Sequence, residues 1–170
     1  MPHVPTNQFK AKICLVAVDI RSTHNIGSLF RTCDGFGADA VLVGISPSPL
    51  HDNDSRLPHL AVKANKDIAK TALGAEKTVK WQKYDTFHSA VTDLKTLGYS
   101  VVGIEQSTSS KNLQTLDPNI PTALVFGREV TGLTADEMNL CDELYEIPMQ
   151  GSKESFNVSV AAGIALYQVS

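Results

Sequence analysis

Three short polar segments, far apart in the chain, carry the side chains that could do chemistry. The first holds Asn25 and Arg31, the second is Gly127-Arg128-Glu129, and the third holds Ser155 and Asn157. Each follows a stretch whose pattern is typical of a β-strand, and ligands of open α/β sheets bind at the carboxyl ends of strands. Arginine binds anions, amide and carboxylate groups orient ligands, and glycine lets backbone approach a ligand closely. The three segments therefore predict a binding site at one edge of a sheet.

Each of these residues also has a purely structural interpretation. Asn25 stands where a helix N-cap would, Arg31 could form a surface ion pair, Glu129 could be a solvated loop acid, and Ser155 could cap the last helix. Taken one at a time, the residues favour these structural roles. His24 is a weaker candidate, because a loop histidine is usually just exposed.

The last third of the chain, residues 124–168, has the pattern of a cofactor pocket. A predicted strand ends at Gly127, a second glycine follows at Gly132, and a short acidic helix leads to another strand at residues 144–148. A turn and an amphipathic helix rich in Ala and Gly complete the segment. The rest of the chain is interpreted as the part that positions a substrate over this pocket.

Common nucleotide and hydrolase motifs are absent from the sequence. GREVTG is followed by Leu133 where a P-loop needs lysine, and no GxGxxG opens the first predicted helix. Neither GxSxG nor HExxH occurs. A nucleotide-dependent oxidoreductase, a serine hydrolase and a zinc protease therefore lack support.

Length and composition predict one globular domain over residues 1–170, with 42% hydrophobic and 19% charged residues. The cysteines at 14, 33 and 141 are odd in number and form no CxxC, so we expect no disulfide framework, no metal site and a reducing compartment. The N-terminus has no apolar signal core, and no run is long enough to span a bilayer. These features predict a cytoplasmic protein without membrane contact.

The net charge of −3 argues mildly against nucleic acid, but the charge is unevenly spread. Residues 63–83 hold lysines at 63, 66, 70, 77, 80 and 83 against only Asp67 and Glu76. Such a stretch can offer a phosphate-binding face on an acidic protein, or it can be a solvated helix surface. Both interpretations remain open at this level.

Strand and helix patterns alternate along the whole chain. Strands are predicted at residues 12–20, 39–46, 78–84, 99–106, 123–126 and 144–148, and helices at 25–37, 60–73, 87–97, 134–140 and after Ser155. Residues 46–59 and 107–119 are predicted loops. The alternation predicts an α/β fold with a mostly parallel sheet and helices on both faces.

Taken together, the three segments resemble the signature motifs of SpoU/TrmH-type RNA ribose methyltransferases of the SPOUT superfamily. The form N-x-G-x-x-x-R-T is matched by Asn25, Gly27, Arg31 and Thr32, and G-x-E-x-x-G by Gly127, Glu129 and Gly132. The form S-x-N-V-S is matched by Ser155, Asn157, Val158 and Ser159. One motif is weak evidence, but three in the family's order and spacing are specific.

The resemblance implies an α/β fold with a C-terminal trefoil knot and a homodimer whose active site lies at or near the subunit interface. It also implies methyl transfer from S-adenosyl-L-methionine to a ribose 2′-hydroxyl of tRNA or rRNA, without a metal. We expect tRNA rather than rRNA, because the chain has no separate N-terminal RNA-binding domain. A non-catalytic RNA-binding protein on the same fold is the alternative, and the methylated nucleotide is not predicted.

The same resemblance assigns roles to single residues. The matched cofactor contacts are Ile104, Glu105, Gly127, Ile147 and Phe156, the last replacing a leucine common in the family. The matched catalytic residues are Arg31, Asn25, Glu129, Ser155 and Asn157. Arg31 is expected to bind a phosphate and stabilise the forming alkoxide, and whether it also accepts the proton stays open. RNA is expected to approach over residues 63–83 and 21–24.

Overall fold

A single parallel sheet of seven strands forms the centre of the computed structural model, which describes residue 9 and residues 11–170. The spatial order is β3-β2-β1-β6-β4-β7-β5, and every pairing is parallel. The strands are β1 Ile13–Val18, β2 Asp39–Val43, β3 Trp81–Tyr84, β4 Ser100–Ile104, β5 Lys111–Asn112, β6 Thr122–Phe126 and β7 Glu143–Glu146.

Six helices in the described part of the chain cover the two faces of this sheet. They are α1 Thr23–Phe36, α2 Pro58–Ala72, α3 Ala75–Thr78, α4 Phe87–Thr96, α5 Ala135–Leu140 and α6 Val158–Val169, and a 3-10 helix spans Leu113–Thr115. Side chains of a strand alternate between faces, so β1 sends Leu15 and Ala17 into the core under α1 and α6. Its Cys14 and Val16 pack on the other face against α4. The predicted α/β class, parallel sheet and two covered faces are confirmed.

Several predicted boundaries are corrected by the structure. The loop predicted at residues 107–119 contains β5 and the 3-10 helix, and α3 occupies the start of the strand predicted at 78–84. Strands β1, β2 and β4 are shorter than predicted, whereas β6 begins one residue earlier, at Thr122. The trefoil knot implied by the resemblance stays a prediction.

Helix α1 begins earlier than the sequence pattern indicated. Its N-cap is Ser22, whose hydroxyl accepts the Asn25 N–H at 3.1 Å, so the prediction of Asn25 as the cap is wrong. Gly37 ends the helix with φ 67°, whereas Gly35 lies inside it. This places Asn25 in the first turn, with its side chain available for contacts beyond the helix.

Gly27 of the first motif serves the contact between α1 and α2. A Cβ atom at Gly27 would lie 2.0 Å from Thr71 Oγ1 and 2.3 Å from the Ile68 carbonyl oxygen. The Thr71 hydroxyl donates to the His24 carbonyl at 2.8 Å, which fastens α2 to the start of α1. This glycine is therefore explained by helix packing, since its face is covered by α2.

The described residues include no helix that is long and apolar enough to cross a membrane. Within the same residues, no group of three or more His, Cys, Asp or Glu side chains is arranged to hold a metal ion. Cys14 and Cys33 are free and buried, and burial raises the pKa of the Cys33 thiol to about 12. These thiols are therefore core side chains.

Candidate active site

A cavity of about 310 Å³ opens at the carboxyl ends of β4, β6 and β7, and we call it the main cavity. Its volume lies in the range of small-molecule sites. The five residues matched to cofactor contacts all line it: Ile104, Glu105, Gly127, Ile147 and Phe156. Glu129 and Ser155 line it as well. The structure thus brings together seven of the ten candidate residues around one space.

The loop of residues 127–133 forms one wall of the main cavity and folds back on itself. The Gly132 N–H donates to the Arg128 carbonyl at 2.9 Å, which closes the turn. A Cβ atom on Gly127 would lie 2.5 Å from the Gly132 carbonyl carbon and 2.6 Å from the Leu133 nitrogen. Gly127 is therefore required by the closure of its own loop, in addition to lining the cavity.

Glu105, at the end of β4, anchors this loop. Its Oε2 atom accepts the Leu133 N–H at 2.8 Å, and its Oε1 atom accepts the Gln106 N–H at 3.1 Å. Gly132 has φ +66°, and a Cβ atom there would lie 2.1 Å from Glu105 Oε2. Glu105 thus holds the backbone of this loop against the end of β4.

Arg128 is a structural element of the site to which sequence reasoning assigned no role. Its guanidinium donates to the Gly132 carbonyl at 3.2 Å and to both carboxylate oxygens of Glu137, at 3.0 and 2.9 Å. It also forms an ion pair with Asp19, the residue that follows β1. These contacts raise the pKa of Arg128 and connect the ends of β1 and β6 to α5. In the sequence, the acidic residues of the short helix after Gly132 are the one feature that indicates a partner for this arginine.

A chain of side-chain hydrogen bonds joins the three motifs. Asn157 Nδ2 donates to Asn25 Oδ1 at 3.5 Å, and Asn25 Nδ2 donates to Glu129 Oε1 at 3.4 Å. Asn157 is also the N-cap of α6, because its Oδ1 accepts the Ser159 N–H at 2.9 Å. Ser155 is therefore not the cap of the last helix, and it lies exposed at the rim of the main cavity.

Arg31 lies outside the main cavity, on the exposed side of α1. It lines a shallow depression of about 330 Å³, the Arg31 pocket, whose polar members include Ser28, Thr32, Lys70, Thr71 and Ser159. The Ser159 hydroxyl donates to Asn157 Oδ1 at 2.5 Å, so the pocket borders the chain of hydrogen bonds described above. A guanidinium, an ammonium and several hydroxyls around one depression are groups that bind a phosphate.

The lysines of residues 63–83 do not form one uniform surface. On α2, the ammonium groups of Lys63 and Lys70 lie 2.6 and 3.1 Å from the Asp67 carboxylate, and Lys66 is exposed. Lys83 is half-buried and donates to the carbonyl oxygens of Gly44 and Ser46. Burial lowers the pKa of Lys83 to about 8. Lys83 therefore holds the loop after β2, and the approach of RNA over residues 63–83 stays a prediction.

The chain is similar to known proteins over nearly its whole length. The sequence matches the model of the SpoU rRNA Methylase family over residues 12–167. A tRNA (guanosine(18)-2′-O)-methyltransferase of Borreliella burgdorferi is 35% identical over 159 residues, which are 92% of this chain and 65% of the relative. The 23S rRNA (guanosine-2′-O-)-methyltransferase RlmB of Ralstonia nicotianae is 33% identical over 156 residues, 92% of this chain and 57% of the relative.

Among solved structures, the AdoMet-bound rRNA methyltransferase from Sinorhizobium meliloti superposes with a TM-score of 0.79 at 22% identity. The match covers 98% of this chain and 59% of that chain. The chain thus spans less than two thirds of the length of each of these three proteins. With its motifs, its parallel sheet and nearly its whole length matched, the chain belongs to the SpoU rRNA Methylase family.

Proposed function

We propose that this protein transfers a methyl group from S-adenosyl-L-methionine to a ribose 2′-hydroxyl of RNA, with tRNA as the substrate. One observation carries the proposal. The hydrogen-bonded chain of Asn157, Asn25 and Glu129 lies between the main cavity, which suits a small cofactor, and the Arg31 pocket, which suits a phosphate. A methyl donor and an RNA backbone placed in these two spaces meet at residues from all three motifs.

The main cavity fits the donor in the chemistry of its walls. Ile104, Ile147 and Phe156 offer apolar contacts for a purine ring, and several carboxylates surround a ligand that carries positive charge. When bound, the donor supplies a sulfonium methyl group. The ribose oxygen forms the new O–C bond, the S–C bond breaks with its electron pair left on sulfur, and the hydroxyl proton is released to water.

Arg31 acts on the RNA side of this reaction. A guanidinium stays protonated in proteins, so Arg31 cannot serve as the base. It binds a phosphate next to the target ribose and stabilises the negative charge that develops on the attacking oxygen. Lys70 lines the same pocket, and because Lys63 and Lys70 share the single carboxylate of Asp67, this group keeps one net positive charge beside the pocket.

The amide side chains between the two spaces position the reactants. Asn25 is held from both sides, by Asn157 and by Glu129, so its orientation is defined before any ligand binds. Asn157 and Ser159 connect this array to the start of α6. Holding a hydroxyl in line with a sulfonium methyl removes much of the entropic part of the barrier.

The function is tested by incubating the protein with methyl-labelled S-adenosyl-L-methionine and separate tRNA and rRNA fractions, then mapping 2′-O-methyl positions. We expect label on a ribose of tRNA. Transfer to rRNA alone would contradict tRNA as the substrate but would support the proposed methyl transfer to RNA. Label on bases, or no transfer to any RNA, would contradict the reaction itself.

We also propose that the protein works as a homodimer through the exposed side of α6. Val160, Ile164 and Tyr167 form an apolar stripe there, with exposed fractions of 49%, 38% and 76%. The stripe borders a groove of about 700 Å³ that shares Ile147 with the main cavity. A second copy seated on this stripe would shield apolar surface and close the cavity from one side.

The oligomeric state of Tyr167→Glu, measured by light scattering during gel filtration, tests the dimer. We expect wild-type dimers, and monomers in the variant because a charge enters the apolar contact. Thr96→Glu, on the exposed side of α4, is the matched control and should remain dimeric. A wild-type monomer at micromolar concentration, or a dimeric Tyr167→Glu variant, would contradict this interface.

A further inference from the structure

The main cavity carries a marked excess of negative charge. Four carboxylates line it, from Glu105, Glu129, Glu146 and Glu154. Glu105 and Glu129 accept hydrogen bonds from uncharged N–H donors, which orient the carboxylates and leave their charge in place. Glu146 and Glu154 form no ion pair with any residue in the described part of the chain.

The only cation among the described lining residues is already neutralised. Arg128 is shared between the carboxylates of Asp19 and Glu137, so it offers no net positive charge to a ligand. Lys153 precedes Glu154 in the chain, but it is exposed and does not line the cavity. A ligand in the main cavity therefore experiences a negative potential from groups on four separate segments.

We infer that this potential makes the site discriminate between the methyl donor and its product. The inference rests on the proposed function. S-adenosyl-L-methionine carries a positive sulfonium, and S-adenosyl-L-homocysteine carries an uncharged thioether on an otherwise identical skeleton. Any difference between their affinities therefore reports mainly the potential at the sulfur atom. A negative cavity binds the donor more tightly and lets the product leave after each transfer.

The size of the effect follows from Coulomb's law. One carboxylate several ångströms from a positive charge, in a partly solvated cavity, changes the affinity ratio by about three- to tenfold. Salt screens such interactions, so the preference for the donor should shrink as ionic strength rises. Apart from the contacts of the methyl group itself, apolar and hydrogen-bond contacts are common to both ligands, so the dependence of the ratio on salt reports the charge.

Calorimetric titration of the purified protein with each of the two compounds tests the inference without any RNA. The wild type should bind S-adenosyl-L-methionine more tightly, and Glu146→Gln and Glu154→Gln should each narrow the preference by about threefold. Glu143→Gln is the matched control. This residue lies on the same strand as Glu146, outside the cavity and 3.2 Å from Lys111, and its loss should leave the ratio unchanged.

The possible outcomes separate the inference from the proposed function. If the wild type binds neither compound, the proposed function fails. If it binds both equally, or the product more tightly, the cofactor assignment stands and the discrimination is wrong. Should a glutamine variant fold poorly, a salt titration of the wild type decides, because added salt must weaken donor binding more than product binding. An affinity ratio that is insensitive to salt would overturn the inference.

Discussion

The main cavity and the Arg31 pocket lie side by side, yet they are built in opposite ways. The wall of the main cavity is fixed by backbone closure at Gly127 and Gly132, by the Glu105 carboxylate and by the Arg128 ion pairs. The Arg31 pocket is a shallow surface depression, and Arg31 itself is exposed, with no hydrogen bond to any described residue. The main cavity is thus formed before ligand binding, whereas the exposed side chains of the Arg31 pocket can still rearrange when a ligand binds.

This difference matches what the two ligands require. A small cofactor gains affinity from a preorganised wall, because no ordering cost remains at binding. An RNA backbone arrives with its own charge and shape, and exposed cations can adjust to it at little cost. Catalytic hydrogen bonds are often incomplete without substrate. Mutations on the two sides should therefore separate cofactor affinity from methyl transfer.

The largest separation is expected for Arg31→Ala. Methyl transfer should fall by about 10²–10³-fold, because a group that stabilises developing charge is removed. The affinity for S-adenosyl-L-methionine should stay the same, since Arg31 does not line the main cavity. Single-turnover assays and calorimetry measure the two quantities. Lys12→Ala removes an exposed cation at the amino end of β1, outside both spaces, and as the control it should retain transfer within a few-fold.

Full transfer activity in Arg31→Ala would remove Arg31 from the reaction. Loss of cofactor binding in the same variant would show that the two regions are not independent. Either result would show that the two regions do not divide cofactor binding from methyl transfer.

The opposite pattern is expected for Gly127→Ala. Its Cβ atom would meet the Gly132 and Leu133 backbone at 2.5–2.6 Å, so the loop must open. We expect cofactor affinity to fall by at least about tenfold and the free energy of unfolding by about 1–3 kcal/mol. Gly35→Ala is the control, because nothing lies within 4 Å of its Cβ position inside α1. That variant should bind normally and gain up to about 1 kcal/mol.

The sheet and its helices could be predicted because their signals are local. The residues of β1 are all buried, and an uninterrupted apolar run is what a central parallel strand requires. Strand β5 has no such signal, since Lys111 and Asn112 are exposed and are ordered by pairing with β7. The cap of α1 was missed because Ser22 and Asn25 are both favourable caps, and periodicity does not choose between them.

The candidate site also has some features that local sequence patterns predict and others that they do not. The second and third motifs identified residues that do surround the main cavity. These motifs follow β6 and β7, and the carboxyl ends of parallel strands lie at one edge of the sheet. The ion pair of Arg128 with Asp19 spans 109 positions, and no local pattern connects the two residues. Likewise, the Glu105 carboxylate reaches the loop backbone at Leu133, whereas the Glu129 carboxylate reaches the Asn25 amide, 104 positions away. Such distances are set by the fold as a whole.

Arg128→Ala should destabilise the wall of the main cavity less than Gly127→Ala does. It leaves the carboxylates of Asp19 and Glu137 facing each other, and we expect a loss of about 1–2 kcal/mol in the free energy of unfolding at pH 7. The affinity for S-adenosyl-L-methionine should fall as well, since the loop of residues 127–133 loses one of its anchors. Lys95→Ala is the matched control, because it breaks the exposed pair with Asp142 and should cost less than about 1 kcal/mol.

The pH dependence of this variant adds a second test. Burial acts to raise the pKa of Glu137, but hydrogen bonds from Arg128 and from Thr134 outweigh it and lower the pKa overall. The unfolded chain therefore takes up the proton first, and this stabilisation is lost as the pH falls below about 4.5. Urea unfolding at pH 7 and at pH 4 should show a smaller difference for Arg128→Ala than for the wild type. An equal difference would show that the ion pair contributes little.

The smallest effects are expected for substitutions of Lys66 and Lys83, which the sequence pattern does not distinguish. Lys66 is exposed on α2, whereas the Lys83 ammonium is bound by the carbonyl oxygens of Gly44 and Ser46. Each lysine that contacts an RNA phosphate contributes about one unit to the slope of log affinity against log salt. Lys66→Gln should therefore lower that slope by about one and weaken RNA binding a few-fold. Lys83→Gln should leave the slope unchanged and lower the melting temperature instead, because the loop after β2 loses its anchor. Filter binding across a salt series measures both slopes, and a reduced slope for Lys83→Gln would place that ammonium on the RNA after all.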